Sequence, residues 1–119
     1  MNSDCKKIYN LLGLMVKSRN LLSGSFMTEK AVKEGSAKLV IVSEDASNNT
    51  KKLFYNKCAF YQVPFYVFGS SEKLGRAMGK EARVSLAVTD SGFAKALEKL
   101  LWAEPRKENR LLPESEPLA

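Results

Sequence analysis

The run Leu39-Val40-Ile41-Val42 limits this chain more than any other segment. It is uninterrupted, apolar and largely β-branched, whereas a strand with one wet face alternates apolar and polar residues. Residues 38–43 are therefore expected to form a central strand covered on both sides, which requires helices above and below it. Periodicity supplies them. Ile8, Leu11, Leu12 and Met15 fall at helical spacing within 4–16, with Lys6, Lys7 and Asn10 opposite. A second helix is expected over 25–34, stopped by Gly35, and a third from an N-cap at Ser47 to about Gln62, with Phe54, Cys58 and Tyr61 on one face. Ser70 or Ser71 caps a short fourth helix closed by Gly79. Residues 89–92 cap a fifth, whose Phe93, Leu97, Leu100 and Leu101 make an apolar stripe. Leu21-Leu22 reads as a brief strand, 65–68 as another after Pro64, and 84–88 as the last, its alternation favouring a position near an edge. Helices alternate with short strands, so the expected fold is α/β, a three-layer α/β/α sandwich with a small mixed sheet.

At 119 residues and 45% apolar composition the chain has the size of one domain, assigned to residues 1–103. Residues 104–119, with Pro105, Pro113 and Pro117 among charges, read as a flexible tail without regular structure, although Leu111-Leu112 could dock onto a neighbour. No apolar run reaches the roughly 18 residues of a membrane span, and no apolar export segment follows the N-terminus, so a soluble cytoplasmic protein without membrane association is expected. Cys5 and Cys58 lack CxxC spacing and the chain has no histidine, which removes the usual metal and nucleophile–base arrangements. Both cysteines are read as reduced thiols, Cys58 buried. The best carboxylate pair, Glu44-Asp45, lies at the end of the central strand. Asp45 reads either as an acceptor for loop backbone or as a group orienting a nearby lysine. No catalytic residue, metal or cofactor is assigned, and the protein is not expected to be an enzyme.

Charge points instead to a polyanion. Residues 1–103 hold 16 Lys and Arg against 9 Asp and Glu, an excess that favours phosphate-rich partners through counterion release. Lys17, Arg19, Lys30, Lys33, Lys80 and Arg83 come from three separated segments and make a site only if the fold brings them together. Arg19 and Arg83 add the forked geometry that grips phosphate or guanine. The hinge Ser23-Gly24-Ser25 precedes the second helix, and a glycine there leaves the helix N–H groups open to an anion. Phe26 either staples the helix start or offers an exposed ring to a base.

Several segments together resemble one family: Leu11-Leu12-Gly13-Leu14, the Ser23-Gly24 hinge, 34–40, SEDAS at 43–47, VPF at 63–65, LGRA at 74–77 and AVTDSGFAKAL at 87–97. They are similar to the ribosomal-protein group L-seven-Ae/L-thirty-e, whose members bind RNA kink-turns, and within it to the bacterial YlxQ-type branch. The resemblance spans residues 11–101 and implies the same three-layer sandwich. In kink-turn binders of this group the hinge reads Gly-x-Asn-Glu with a Lys three residues after the Glu. Here Gly24 and Lys30 match, while Phe26 and Met27 occupy the Asn and Glu positions. The family's apolar loop before the last strand is the charged Lys80-Glu81-Ala82-Arg83 here. The resemblance thus implies binding of structured RNA, ribosomal or other non-coding, with altered or relaxed kink-turn specificity. The expected contacts are Arg19, Gly24, Ser25, Phe26, Lys30, Lys33, Lys80 and Arg83, with Asp45 orienting Lys30. A monomer is expected, working alone or with the ribosome or with transcription or translation factors. The alternative is a protein–protein adaptor on such a complex, using Phe26, Met27 and the tail.

Overall fold

The structure is a computed structural model, and it describes residues 3–103 and 110–111. Its elements run α1 (Ser3–Lys17), β1 (Leu21–Ser23), α2 (Ser25–Glu34), β2 (Leu39–Val42), α3 (Asn48–Tyr61), β3 (Phe65–Val67), α4 (Ser71–Ala77), β4 (Ser85–Val88), α5 (Ser91–Ala103) and β5 (Arg110–Leu111). Local chemistry sets most boundaries. The Ser47 and Ser70 hydroxyls accept from the backbone N–H of Thr50 and Lys73, both at 3.1 Å, and Asp90 accepts from Phe93 N–H at 2.8 Å. These are N-caps of α3, α4 and α5. Gly35 ends α2 in the left-handed region, at φ 83°.

The strands form one sheet in the order β1-β4-β2-β3-β5, with β2 and β3 parallel and the remaining neighbours antiparallel. The pleat divides β2 between two cores. Leu39 and Ile41, with Tyr66, Leu86 and Val88, meet Ile8, Leu12 and Met15 of α1, Leu74 of α4 and Leu97 and Leu101 of α5. Val40 and Val42, with Phe65, Val67 and Ala87, meet Ala31 and Val32 of α2 and Phe54, Tyr55 and Cys58 of α3. The three-layer sandwich follows from the double burial of β2. Burial pushes the Cys58 thiol up to about 12, so it stays protonated within the core.

Two expectations change and one is refined. β4 does lie near an edge, one strand in from it, but it is paired on both sides, with β1 and β2, and all four of its residues are buried. Its alternation came from Ser85, which is fully buried opposite Val42 while its carbonyl accepts from Gly24 N–H at 3.0 Å. Tyr61 does not join the buried face of α3. The helix stops there, Gln62 turns left-handed at φ 60°, and Tyr61 packs edge-on against exposed Phe60, while Tyr55 fills the core. Lastly, Arg110 and Leu111, within the segment expected to stay outside the sheet, pair with Tyr66 and Phe65 of β3. The rest of 104–119, including Leu112, lies outside the described residues.

This topology gathers loops at one end of the sheet. β1, β2 and β3 all finish there and β4 begins there. Residues 23–25, 43–47, 68–71 and 79–84 therefore neighbour one another.

Candidate nucleic-acid interface

Gly24 is the pivot of that end. Its φ of 94° and ψ of 149° suit glycine and strain any other residue, although a Cβ would meet nothing within 4 Å. Its carbonyl accepts from Thr28 N–H at 3.0 Å, opening α2 directly. No side chain caps this helix and no acidic residue lies in its first turn. The positive end of the α2 dipole and the N–H groups of its first turn thus carry no competing anion.

The 79–84 loop comes to the hinge from the other side of the sequence. The half-buried Arg83 donates from Nε to Ser23 Oγ at 3.1 Å and from Nη1 to the Ala82 carbonyl at 3.0 Å. Neither bond uses Nη2. The loop is itself fixed against α4: Arg83 N–H donates to Ser71 O at 3.0 Å and Lys80 N–H to Gly75 O at 2.8 Å. Gly75 permits this approach, because a Cβ there would stand 2.0 Å from the Glu81 carbonyl oxygen. Lys80 is exposed on the same loop.

From the hinge, α2 carries Phe26, Lys30 and Lys33 along one exposed stripe at i, i+4 and i+7. Phe26 is 76% exposed, an open ring and not a staple. It lines a shallow groove of about 380 Å³ with Glu29, Lys30, Lys33 and Glu34. Lys30 pairs with Glu34 at 3.8 Å, while Glu29 sits between Lys33 at 3.5 Å and Lys57 of α3 at 3.4 Å. Solvent-facing pairs of this kind contribute little to stability, so a phosphate can displace them at small cost.

Hinge, loop and α2 stripe bring together Gly24, Ser25, Phe26, Lys30, Lys80 and Arg83, with Lys33 about one helical turn beyond Lys30. Arg19 does not join them. It occupies the left-handed turn before β1, at φ 63°, beside Asn20, whose carbonyl accepts from Thr89 N–H at 3.0 Å. That is the opposite end of β1, roughly 10 Å from the hinge. Asp45 follows the first of its two expected readings, accepting from backbone, and not the pairing with Lys30. Its carboxylate accepts from Ser71 N–H at 3.0 Å and Ser71 Oγ at 2.8 Å, tying the β2–α3 loop to the start of α4, while Lys30 pairs with Glu34. The neighbouring Ser43 hydroxyl and the hydrogen bonds from Ser71 hold the Asp45 carboxyl below the usual carboxylate range.

A depressed carboxyl contributes stability above its ordinary pKa and loses that contribution as pH falls through the folded value. Asp45→Ala is accordingly expected to cost about 1 kcal/mol or less, since the group is exposed. Thermal melts of both proteins should differ near pH 7 and converge as the pH falls through the lowered folded value; a difference that stays constant under acid would deny the ionised carboxylate this role.

Gly75 has a part in the site that its sequence context did not single out. The available signal was Gly75 itself, because a glycine inside a helix costs about 1 kcal/mol unless some backbone must come close. Among the described residues no group of three or more His, Cys, Asp or Glu side chains is placed to hold a metal, and no helix is long and apolar enough to cross a membrane.

Comparison with known proteins finds relatives of the whole domain. The family model described as "Ribosomal protein L7Ae/L30e/S12e/Gadd45 family" matches residues 6–98. A Bacillus subtilis protein named "RNA-binding protein YlxQ" is 47% identical over 93 residues, covering 78% of this chain and 93% of the relative. An Enterococcus faecium protein of the same name is 34% identical over 96 residues, covering 81% and 92%. A solved structure from Bacillus halodurans, described as a protein with unknown function, superposes with a TM-score of 0.77 at 46% identity, covering 79% of this chain and 95% of the other.

Proposed function

This chain belongs to the ribosomal protein L7Ae/L30e/S12e/Gadd45 family, and from that premise we propose that it binds structured RNA through the sheet end formed by the hinge and the 79–84 loop. One observation supports this reading most: Arg83, far from the hinge in sequence, is bonded to Ser23 beside the uncapped start of α2. Phosphates reach the α2 N–H groups, Lys30, Lys80 and the free edge of the Arg83 guanidinium. Phe26 offers its exposed face to an unstacked base. The relatives named as RNA-binding proteins favour the same partner.

Specificity is altered relative to kink-turn readers. An Asn amide and a Glu carboxylate hydrogen-bond to base edges, and the Phe26 and Met27 side chains here do neither. Backbone positioning by phosphate contacts takes over part of the work of base readout. The RNA is ribosomal or another structured non-coding species.

Crosslinking by ultraviolet light in cells, followed by sequencing of the RNA and identification of the modified peptides, tests this. Crosslinks are expected within 24–30 and 79–84. The adaptor reading draws on Phe26 and Met27, both exposed, and on the tail, most of which lies outside the described residues. Protein partners retained after nuclease treatment, without crosslinked RNA, would favour it.

A further inference from the structure

A second basic surface adjoins the hinge end on the opposite face of the sheet. Lys6 and Tyr9 of α1 and Lys73, Arg76 and Ala77 of α4 line a groove of about 420 Å³. Its walls are held close: a Cβ on Gly13 of α1 would lie 3.3 Å from the Ala77 carbonyl, and the Tyr9 ring packs on Phe68 at 5.3 Å between centroids. Lys6, Lys73 and Arg76 are all exposed. The acids nearby are Glu72, which accepts from Arg76 Nη2 at 2.9 Å, and the exposed Glu81.

What links this groove to the interface is backbone. The loop bearing Lys80 and Arg83 bonds to α4 at Gly75 and at Ser71, so α4 has Lys73 and Arg76 on its exposed side while its backbone anchors the 79–84 loop. Cations thus continue from Lys30 through Arg83 and Lys80 to Arg76, Lys73 and Lys6 across two faces of the domain.

We propose that the α1–α4 groove holds the phosphate backbone of the RNA stem flanking the element bound at the hinge, an inference that rests on the RNA-binding reading above. Duplex RNA presents its backbone and 2′-hydroxyls and hides its major-groove base edges, which suits a groove of cations and a tyrosine ring with few acceptors for bases. The Arg76–Glu72 pair is exposed and yields to a phosphate at little cost.

The test uses the full chain and a synthetic kink-turn hairpin whose flanking stem is either about 5 or about 15 base pairs long. Wild-type protein should bind the longer RNA more tightly, and the Lys6→Gln/Lys73→Gln/Arg76→Gln variant should lose that gain, about tenfold at low salt. Its plot of log affinity against log salt should be shallower by roughly two to three. Glu72→Gln, which removes the competing acid, should tighten binding of the long-stem RNA alone. If the wild type binds both RNAs, Lys30→Ala/Arg83→Ala weakens both, and neither groove variant changes affinity or salt slope, the groove assignment fails while the hinge reading stands. Absence of wild-type binding to either RNA overturns both.

Discussion

Replacing Lys30 and Arg83 together with alanine should weaken binding to a structured RNA by roughly 2 to 3 kcal/mol, about 30- to 150-fold. The two residues act differently. Lys30 lies about 9 Å along α2 from Gly24 and pairs with exposed Glu34, so its removal takes away a point charge and little else. Arg83 is half-buried, held by Ser23 and by the Ala82 carbonyl, and presents its guanidinium in a fixed plane. Its loss should dominate, and Arg83→Lys should recover only a fraction because an ammonium cannot make the forked contact. Fluorescence anisotropy with a labelled RNA measures both terms. Unchanged affinity in the double variant, with the fold intact by circular dichroism, would remove the hinge and loop from the binding face.

Gly75→Ala should be the most damaging single methyl in this domain. Two effects oppose one another. Alanine favours the helix by about 1 kcal/mol over glycine, whereas the new Cβ would stand 2.0 Å from the Glu81 carbonyl oxygen and 3.0 Å from the Ala82 Cα. Those are backbone atoms, and the loop that owns them is bonded to α4 at Lys80 and Arg83, so neither side yields easily. Overpacking of this kind costs up to about 3 kcal/mol or more, which outweighs the propensity gain. The net loss should be near 2 kcal/mol, lowering the melting temperature by about 10 °C. Because the displaced loop carries Arg83, RNA affinity should fall as well. A melting temperature equal to wild type would mean that the loop does not sit against α4 at this glycine.

The fold was largely legible because β2 is buried on both faces and the caps are chemically explicit. Ser47, Gly35 and Asp90 mark boundaries through side-chain oxygens or a left-handed backbone, properties of single residues. Sheet order was not legible in the same way. The buried Ser85 imitates the polar face of an edge strand, and only the pairing of β4 with both β1 and β2 reveals that it is flanked on both sides. The interface divides along the same line. Gly24 and Lys30 follow from the hinge itself, and Arg83 from charge. Arg19 stands apart from the hinge although the two are close in sequence, because β1 carries the chain across the sheet between them. For Asp45 the backbone-acceptor reading was available, but its donor, Ser71, arrives from a segment 26 residues away that no local pattern connects to it.

The central claim, that this chain holds structured RNA mainly by phosphate contacts at the hinge end, is tested most directly by titrating salt. Affinity is measured from about 50 to about 200 mM for a kink-turn RNA and for the same RNA with its sheared G·A pairs replaced by Watson–Crick pairs. Binding of both RNAs with a steep negative dependence on salt, and less than about tenfold discrimination between them, is the predicted result. Salt-independent binding, or strong preference for the sheared pairs despite Phe26 and Met27, would contradict it.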